Sequence, residues 1–385
     1  MTELVLADES IPGLEGRLPP GVRVRTFAGG PLRPDELIGV DVLMVRSVTR
    51  VDSSLLADAR VRFVGSATSG VDHIDQNYLN SEGIEFAHTP GANANAVVDY
   101  VLAAIAAVDD KLERVLGVGH VGIVGFGHIG RALAKRLSAL GVSVHIYDPW
   151  LTPQQLTQAA TFETVLSCDV VSLHTSLTDQ HPWPSRHLID TAQLQQIQKD
   201  SLLINASRGA VINNKALLAR LTSQAPPAVV LDVWEGEPRL DPRLLPYLRF
   251  GTAHIAGYSL GAKLEATRRL VRAAWPDQAG SEAAFGDGHE RYMQVSESVT
   301  GADLLRDVIL HCCDIHGDDR QLRTALAGVQ GEGVASAFVH ERKHYPDRQE
   351  LTGLKVEVRA LSDVDRDRLT ALGCITQDVA ASPDA

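Results

Sequence analysis

Three residues of complementary chemistry stand just past short apolar runs: Arg208 after "LLINAS", Glu237 in "DVWEGEP" and His254 in "TAHIAGY". An arginine offers paired donors that match a carboxylate, which a lysine's single charge does not. A neutral imidazole takes the proton of an alcohol. A carboxylate beside that imidazole orients it and stabilises its protonated form. Together they supply what oxidation of a 2-hydroxy acid needs, provided a hydride acceptor lies alongside. Singly, each has an ordinary structural explanation: a surface cation, a turn acid ahead of Pro238, a packed histidine. No metal centre is expected, because Glu237 and His254 share no helix and no His-x-x-x-His spacing lies near them.

The hydride acceptor has its own signature. Gly125-Phe126-Gly127-His128-Ile129-Gly130 follows the strand-like "VGIV", opens a helical pattern, and precedes an acid, Asp148, at the end of the next apolar run. Glycines here permit a tight turn and close backbone approach to a pyrophosphate seated on the helix N-terminus. Asp148 accepts hydrogen bonds from ribose hydroxyls and repels a 2′-phosphate, so NAD is expected over NADP.

Positioning these groups requires parallel sheets. "ELVLAD" (3–8), "DVLMVR" (41–46), "RFVGSA" (62–67) and "IEFAHT" (84–89) read as buried strands alternating with short helical segments. One long helix is expected over about 93–115, opened by Asn93 or Asn95. A second series follows with "VGIV", "SVHIYD" (143–148), "VVSLHT" (170–175), "LLINAS" (202–207) and "VVLDVW" (229–234), closed by a strand in "FGTAHIAG". The pattern predicts two doubly wound α/β domains, with a composition break at 275–290 reading as a linker. Beyond it, 301–328 reads as helical and "KVEVRAL" (355–361) as a strand, giving a third, small α+β module with a loose tail from 378. The expected division is 1–92 with 255–280, then 93–254, then 281–385.

Bulk properties restrict the partners. The chain has 385 residues and a net charge of −12, which argues against nucleic-acid and anionic membrane surfaces. The longest apolar run, "AVVDYVLAAIAAV" (96–108), carries Asp99 and is too short to span a bilayer. The four cysteines lack metal or redox spacing, and no signal peptide precedes the first strand, so a cytoplasmic enzyme with reduced thiols is expected.

"LINASRGAVIN", "VLDVWEGEP" and "TAHIAGY", with the glycine loop, resemble the D-isomer-specific 2-hydroxyacid dehydrogenases. The resemblance implies a flavodoxin-like substrate or lid domain, a Rossmann NAD-binding domain, and catalytic roles for Arg208, Glu237 and His254. "VRSVTRV" (45–51), "FVGSATSGVDHID" (63–75), "TPGANANAVVDYV" (89–101) and "ERKHYPDRQEL" (341–351) are similar to one branch of that family. That branch oxidises a phosphorylated four-carbon hydroxy acid on the route to pyridoxal phosphate, and forms a homodimer through its C-terminal domain. The similarity implies substrate contacts from Ser47, Thr68 and Tyr258. It implies NAD contacts from Gly125, Gly127, His128, Ile129, Gly130, Asp148, Thr175, Ala206, Ser207, Arg208, Asp232 and Gly257. Ser47 and Thr68 are expected to offer hydroxyl donors, and Arg46, Arg50, Arg342, Lys343 and Arg348 are candidate cations for a phosphate. The chain departs from the branch at Ala92, Val71 and the loop "SLTDQHPWPSRHLI" (176–189), none of which removes a catalytic group. Alternatives are a relative acting on 3-phosphoglycerate or an unphosphorylated acid, and an NAD-sensing binding protein.

Overall fold

The computed structural model describes residues 3–156, 158–277, 291–296, 298–359 and 361–378. The expected linker lies mostly, and the expected loose tail almost wholly, outside the described residues. The chain divides into two compact units, Met1–Asn93 with Ser259–His289 and Ala94–Tyr258 with Glu290–Ala385.

In the first unit, β1 (Leu4–Asp8), β2 (Arg23–Phe27), β3 (Val42–Val45), β4 (Phe63–Ser66) and β5 (Glu85–His88) form one parallel sheet of order β2-β1-β3-β4-β5. That is the flavodoxin-like order. The central strands are mostly apolar because both faces are covered, and every residue of β3 and β4 is buried. Strand β2, "RVRTF", was not anticipated. Its arginines lie on an edge strand that stays largely wet, so no hydrophobic run marks it. The helix Leu260–Ala274 returns to this unit and packs Leu270 and Val271 into the core with Val5, Val42 and Phe63.

In the second unit, six parallel strands run in the order β11-β10-β9-β8-β6-β7: β6 (His120–Val124), β7 (Ser143–Tyr147), β8 (Val170–Leu173), β9 (Leu202–Asn205), β10 (Ala228–Leu231) and β11 (Phe250–Gly251). The helix expected over 93–115 is two helices, Ala94–Ala107 and Lys111–Leu116. Asp109 separates them in a left-handed conformation (φ 44°), held by Arg249 at 2.5 Å. The closing strand is only two residues long. Thr252 turns its hydroxyl to Asp232 at 2.7 Å, and the chain leaves the sheet there.

The C-terminal segment of this unit builds, among the described residues, a three-stranded parallel sheet of β12 (Tyr292–Gln294), β13 (Lys355–Val358) and β14 (Ile375–Asp378) in sequential order, with four helices. Helix Gly301–Cys312 inserts Leu304, Leu305, Val308 and Ile309, all at most 1% exposed, into the core that also takes the Ala94–Ala107 helix. Burying each such side chain contributes on the order of 2 kcal/mol. Arg348 is pinned inside, donating to the carbonyls of Ala96 (2.8 Å) and Ala256 (2.7 Å) and to Cys313 Sγ (2.7 Å). It is therefore a structural tie and is withdrawn as a phosphate cation. Nearby, burial pushes the Asp99 carboxyl up to about 7, despite Arg136 at 3.7 Å and the Leu351 amide at 2.9 Å. Among the described residues, no helix is long and apolar enough to cross a membrane.

Candidate active site

The glycine loop begins where β6 ends. Gly125 has φ +94°, and a Cβ there would lie 2.7 Å from the His174 carbonyl oxygen. A Cβ on Gly130 would lie 2.1 Å from the Gly125 carbonyl oxygen, so only glycine lets the His128–Ala139 helix start this close to the strand. Gly127 is different: nothing lies within 4 Å of its Cβ position, and Gly127 and His128 are exposed while Ile129 is half-buried. That open cradle at a helix N-terminus fits a pyrophosphate. Asp148 holds the loop from the next strand, accepting from Phe126 N (2.8 Å) and Trp150 N (3.0 Å). Thr175 Oγ1 is buried with no partner among the described residues, a vacant hydrogen-bonding group beside the loop. Ala206 and Ser207 are buried after β9, with Ser207 Oγ and N both bound to Asn205 Oδ1. The residues present fit NAD.

The other groups converge at the ends of β9, β10 and β11. His254 Nδ1 lies 2.7 Å from Glu237 Oε2, and Glu237 Oε1 accepts from Trp234 N at 2.6 Å. Both carboxylate oxygens are thus engaged, and the imidazole has one defined orientation. Burial draws the Glu237 carboxyl upward, but the His254 charge and hydrogen bond, the Trp234 amide and the Arg342 charge outweigh it. The net direction is down, so Glu237 stays a carboxylate. Arg208 donates from Nη1 to Ser207 O at 2.8 Å, and its own carbonyl accepts from Asn205 Nδ2 at 3.0 Å.

His254 occupies a left-handed conformation (φ 58°), which is strained for a residue with a Cβ. Asp232 imposes it. Its Oδ1 accepts from Thr252 Oγ1 and Ile255 N, both at 2.7 Å, and its Oδ2 from Ala256 N at 3.0 Å. Its carbonyl accepts from His254 N at 2.8 Å. Behind it, the buried Tyr100 hydroxyl lies 2.7 Å from Thr252 Oγ1 and, as the Thr252 proton goes to Asp232, must donate to it. Asp232, expected as a cofactor contact, is also the anchor of the turn that carries His254 and leads into Gly257. Tyr258 lies just beyond, and its hydroxyl accepts from Arg342 Nε at 3.0 Å.

Ser47 and Thr68 belong to the first unit, past the carboxyl ends of β3 and β4. Thr68 differs from its expected donor role. Its proton goes to Gly70 O at 2.7 Å, and it accepts from Ser66 Oγ at 2.7 Å, which is itself bound by His73 Nε2 at 2.9 Å. With the Ser66 proton on Thr68, His73 Nε2 must carry the N–H that donates to Ser66, and burial, which lowers the ring to about 4, keeps it neutral. Thr68 therefore presents a lone pair. Arg50 is paired with Asp52 at 2.7 Å on the surface.

Sequence reasoning did not single out Asp232 as a turn anchor, nor Tyr100, Thr252 or His187. His187 binds Glu235 at 2.5 Å and ties the 176–189 loop to the strand end before Glu237. These contacts span tens of residues and leave no local pattern. The "HERKH" run (340–344) has zinc-motif spacing, with the two histidine ring centroids 4.1 Å apart and tilted by 34°. Among the described residues, however, no three His, Cys, Asp or Glu side chains are arranged to hold a metal.

Comparison with known proteins adds to this geometry. Residues 108–256 match the family "D-isomer specific 2-hydroxyacid dehydrogenase, NAD binding domain", and residues 289–373 a domain of unknown function. Erythronate-4-phosphate dehydrogenase of Marinobacter nauticus is 39% identical, covering 96% of this chain and 98% of its own. That of Cellvibrio japonicus is 38% identical at the same coverage, and that of Pseudomonas aeruginosa 37% identical over 94% of this chain and 97% of its own. Among solved structures, the NAD-complexed D-isomer specific 2-hydroxyacid dehydrogenase of Lactobacillus delbrueckii superposes with a TM-score of 0.60 at 20% identity, covering 74% of this chain and 99% of its own. A glyoxylate reductase from Paecilomyces thermophila gives 0.58 at 23% identity, over 75% of this chain and 97% of its own.

Proposed function

Because the chain belongs to the erythronate-4-phosphate dehydrogenase family of D-isomer-specific 2-hydroxyacid dehydrogenases, we propose that it oxidises 4-phospho-D-erythronate to (R)-3-hydroxy-2-oxo-4-phosphooxybutanoate, a step toward pyridoxal 5′-phosphate. It is an NAD-dependent dehydrogenase with an NAD-binding domain. The observation that carries the reaction is the His254–Glu237 pair at 2.7 Å.

Bound NAD supplies the hydride acceptor. With Nδ1–H directed at the Glu237 carboxylate, the His254 lone pair lies on Nε2, the atom that takes the substrate's C2 hydroxyl proton. Glu237 stabilises the imidazolium that results. Arg208 holds the substrate carboxylate, Ser47 and Tyr258 donate to substrate oxygens, and Thr68 accepts from a substrate hydroxyl. Asp148 takes the adenosine ribose, while Thr175, Ala206, Ser207, Asp232 and Gly257 line the nicotinamide side. In this assignment residues 1–92 with 255–280 form the substrate domain, 93–254 the cofactor domain and 281–385 a dimerisation domain.

The homodimer is supported by the C-terminal sheet. Parallel sheets are ordinarily covered on both faces, yet Tyr292, Lys355 and Ile375 stand in one cross-strand row with Tyr292 and Ile375 nearly half exposed. A second copy is the proposed cover. All four cysteines are free thiols, which suits a reducing compartment, and we place the reaction in the cytoplasm.

Purified protein is expected to reduce NAD with 4-phospho-D-erythronate at least roughly 100-fold more efficiently, in kcat/KM, than with 3-phosphoglycerate or D-lactate. Comparable values on all three overturn the substrate assignment. Sedimentation of the same preparation is expected to give a dimer, and a monomer at micromolar concentration would count against the C-terminal interface. Recovery of the native enzyme in a membrane or periplasmic fraction would overturn the compartment.

A further inference from the structure

The helix Glu332–Lys343 belongs to the C-terminal segment, yet its last turn reaches the active site. Val334, Ala335 and Phe338 bury one face of the helix and fix its position. From that anchored helix, Arg342 places its guanidinium 5.7 Å from the centroid of the Tyr258 ring and donates from Nε to the Tyr258 hydroxyl at 3.0 Å. Tyr345, just beyond the helix, meets the same ring edge-on at 6.3 Å, and its own hydroxyl is tied to Asp318 at 3.0 Å. Tyr258 is thus clamped between two side chains of the C-terminal segment.

The chemistry of the clamp is directional. An arginine cannot accept a hydrogen bond, so the Tyr258 oxygen is the acceptor in this pair. A phenol O–H beside a guanidinium makes a composite site for an oxyanion. Arg342 also acts on the reacting groups, since its charge is among those holding the Glu237 carboxyl down. The substrate proposed above is anionic at both ends. Arg208 answers the carboxylate, and a phosphate at the other end needs a second local cation in a chain of net charge −12. The solved neighbours match nearly all of their own length to about three quarters of this chain, and residues 289–373 match a separate domain. By their printed names, those neighbours include a glyoxylate reductase and D-lactate dehydrogenases, whose named substrates carry no phosphate.

We infer that Arg342, with Tyr258, binds the phosphate end of the substrate, so that the C-terminal segment supplies a specificity determinant of the active site. This rests on the phosphoerythronate reading. The test is steady-state kinetics of the full-length enzyme with 4-phospho-D-erythronate and with unphosphorylated D-erythronate, for the wild type, Arg342→Gln and Arg342→Lys. Inorganic phosphate serves as a competing anion. Arg342→Gln is expected to raise KM for the phosphorylated acid by roughly 10- to 100-fold, with a smaller change in kcat. KM for D-erythronate rises far less than KM for the phosphorylated acid, phosphate inhibition weakens, and Arg342→Lys recovers part of the loss. Equal losses on both acids with unchanged phosphate inhibition would overturn the inference and leave Arg342 as a prop for Tyr258. If the wild type does not prefer the phosphorylated acid, the substrate reading fails. The phosphate-inhibition arm then decides the anion site by itself.

Discussion

His254→Ala lowers kcat for the oxidation by roughly 10²- to 10⁴-fold, the usual worth of a positioned general base, while NAD titrated by fluorescence binds near wild-type affinity. The reason lies in what the side chain touches. Its Nδ1 is committed to Glu237, and its backbone is held by Asp232, so removing the ring beyond Cβ deletes the proposed proton acceptor and leaves the turn in place. Retention of most of kcat would remove His254 from the mechanism. Glu237→Gln is the companion variant. It keeps one acceptor oxygen where the carboxylate has two, so an NH2 group must face either the Trp234 amide or the imidazole N–H, and it removes the negative charge that favours the imidazolium. The imidazolium formed on proton transfer loses its counter-charge, so the maximal rate of oxidation falls. An unchanged kcat would show that Glu237 does not act through His254.

Gly209→Ala is expected to abolish most activity without touching a reacting group. The added Cβ would lie 1.9 Å from the carbonyl carbon of Trp234, 2.0 Å from its oxygen and 2.4 Å from Glu235 N. All three are backbone atoms, so no side chain can swing aside. Either the turn after Arg208 or the strand end leading to Glu237 must move, and these are the two backbones that set the distance between the cation and the acid. A misplacement of about 1 Å in such a constellation costs on the order of 10²-fold in rate. Overpacking of this kind costs about 1–3 kcal/mol in stability, so a lowered melting temperature should accompany the loss. Wild-type kcat and melting temperature in this variant would show that the two loops are not in rigid contact.

Some of the fold shows in local pattern and some does not. Buried parallel strands such as β3 and β4 announce themselves, because both faces are covered and nearly every position is apolar. Strand β2 does not, because an edge strand with Arg23 and Arg25 looks like any polar segment. The unbroken helix expected across 93–115 failed at Asp109, whose pairing with Arg249 lies 140 residues away in sequence. Thr68 was read as a donor from residue type alone. Only its neighbours Ser66, Gly70 and His73 show that its proton is already used.

The site divides along the same line. Legible from the chain were the cofactor loop and the strand-end positions of Arg208, Glu237 and His254. Glycine requirements and strand-end positions are local, and their spacing is carried by a few consecutive residues. What folding alone settles is how those groups are held. Asp232 bends the His254 turn into a left-handed conformation, Tyr100 and Thr252 back it from a distant helix, and Arg342 arrives at Tyr258 from 84 residues further along the chain. Such contacts join residues far apart in sequence, and each side chain has an equally good use elsewhere. Packing selects among those uses, and packing is a property of the whole fold.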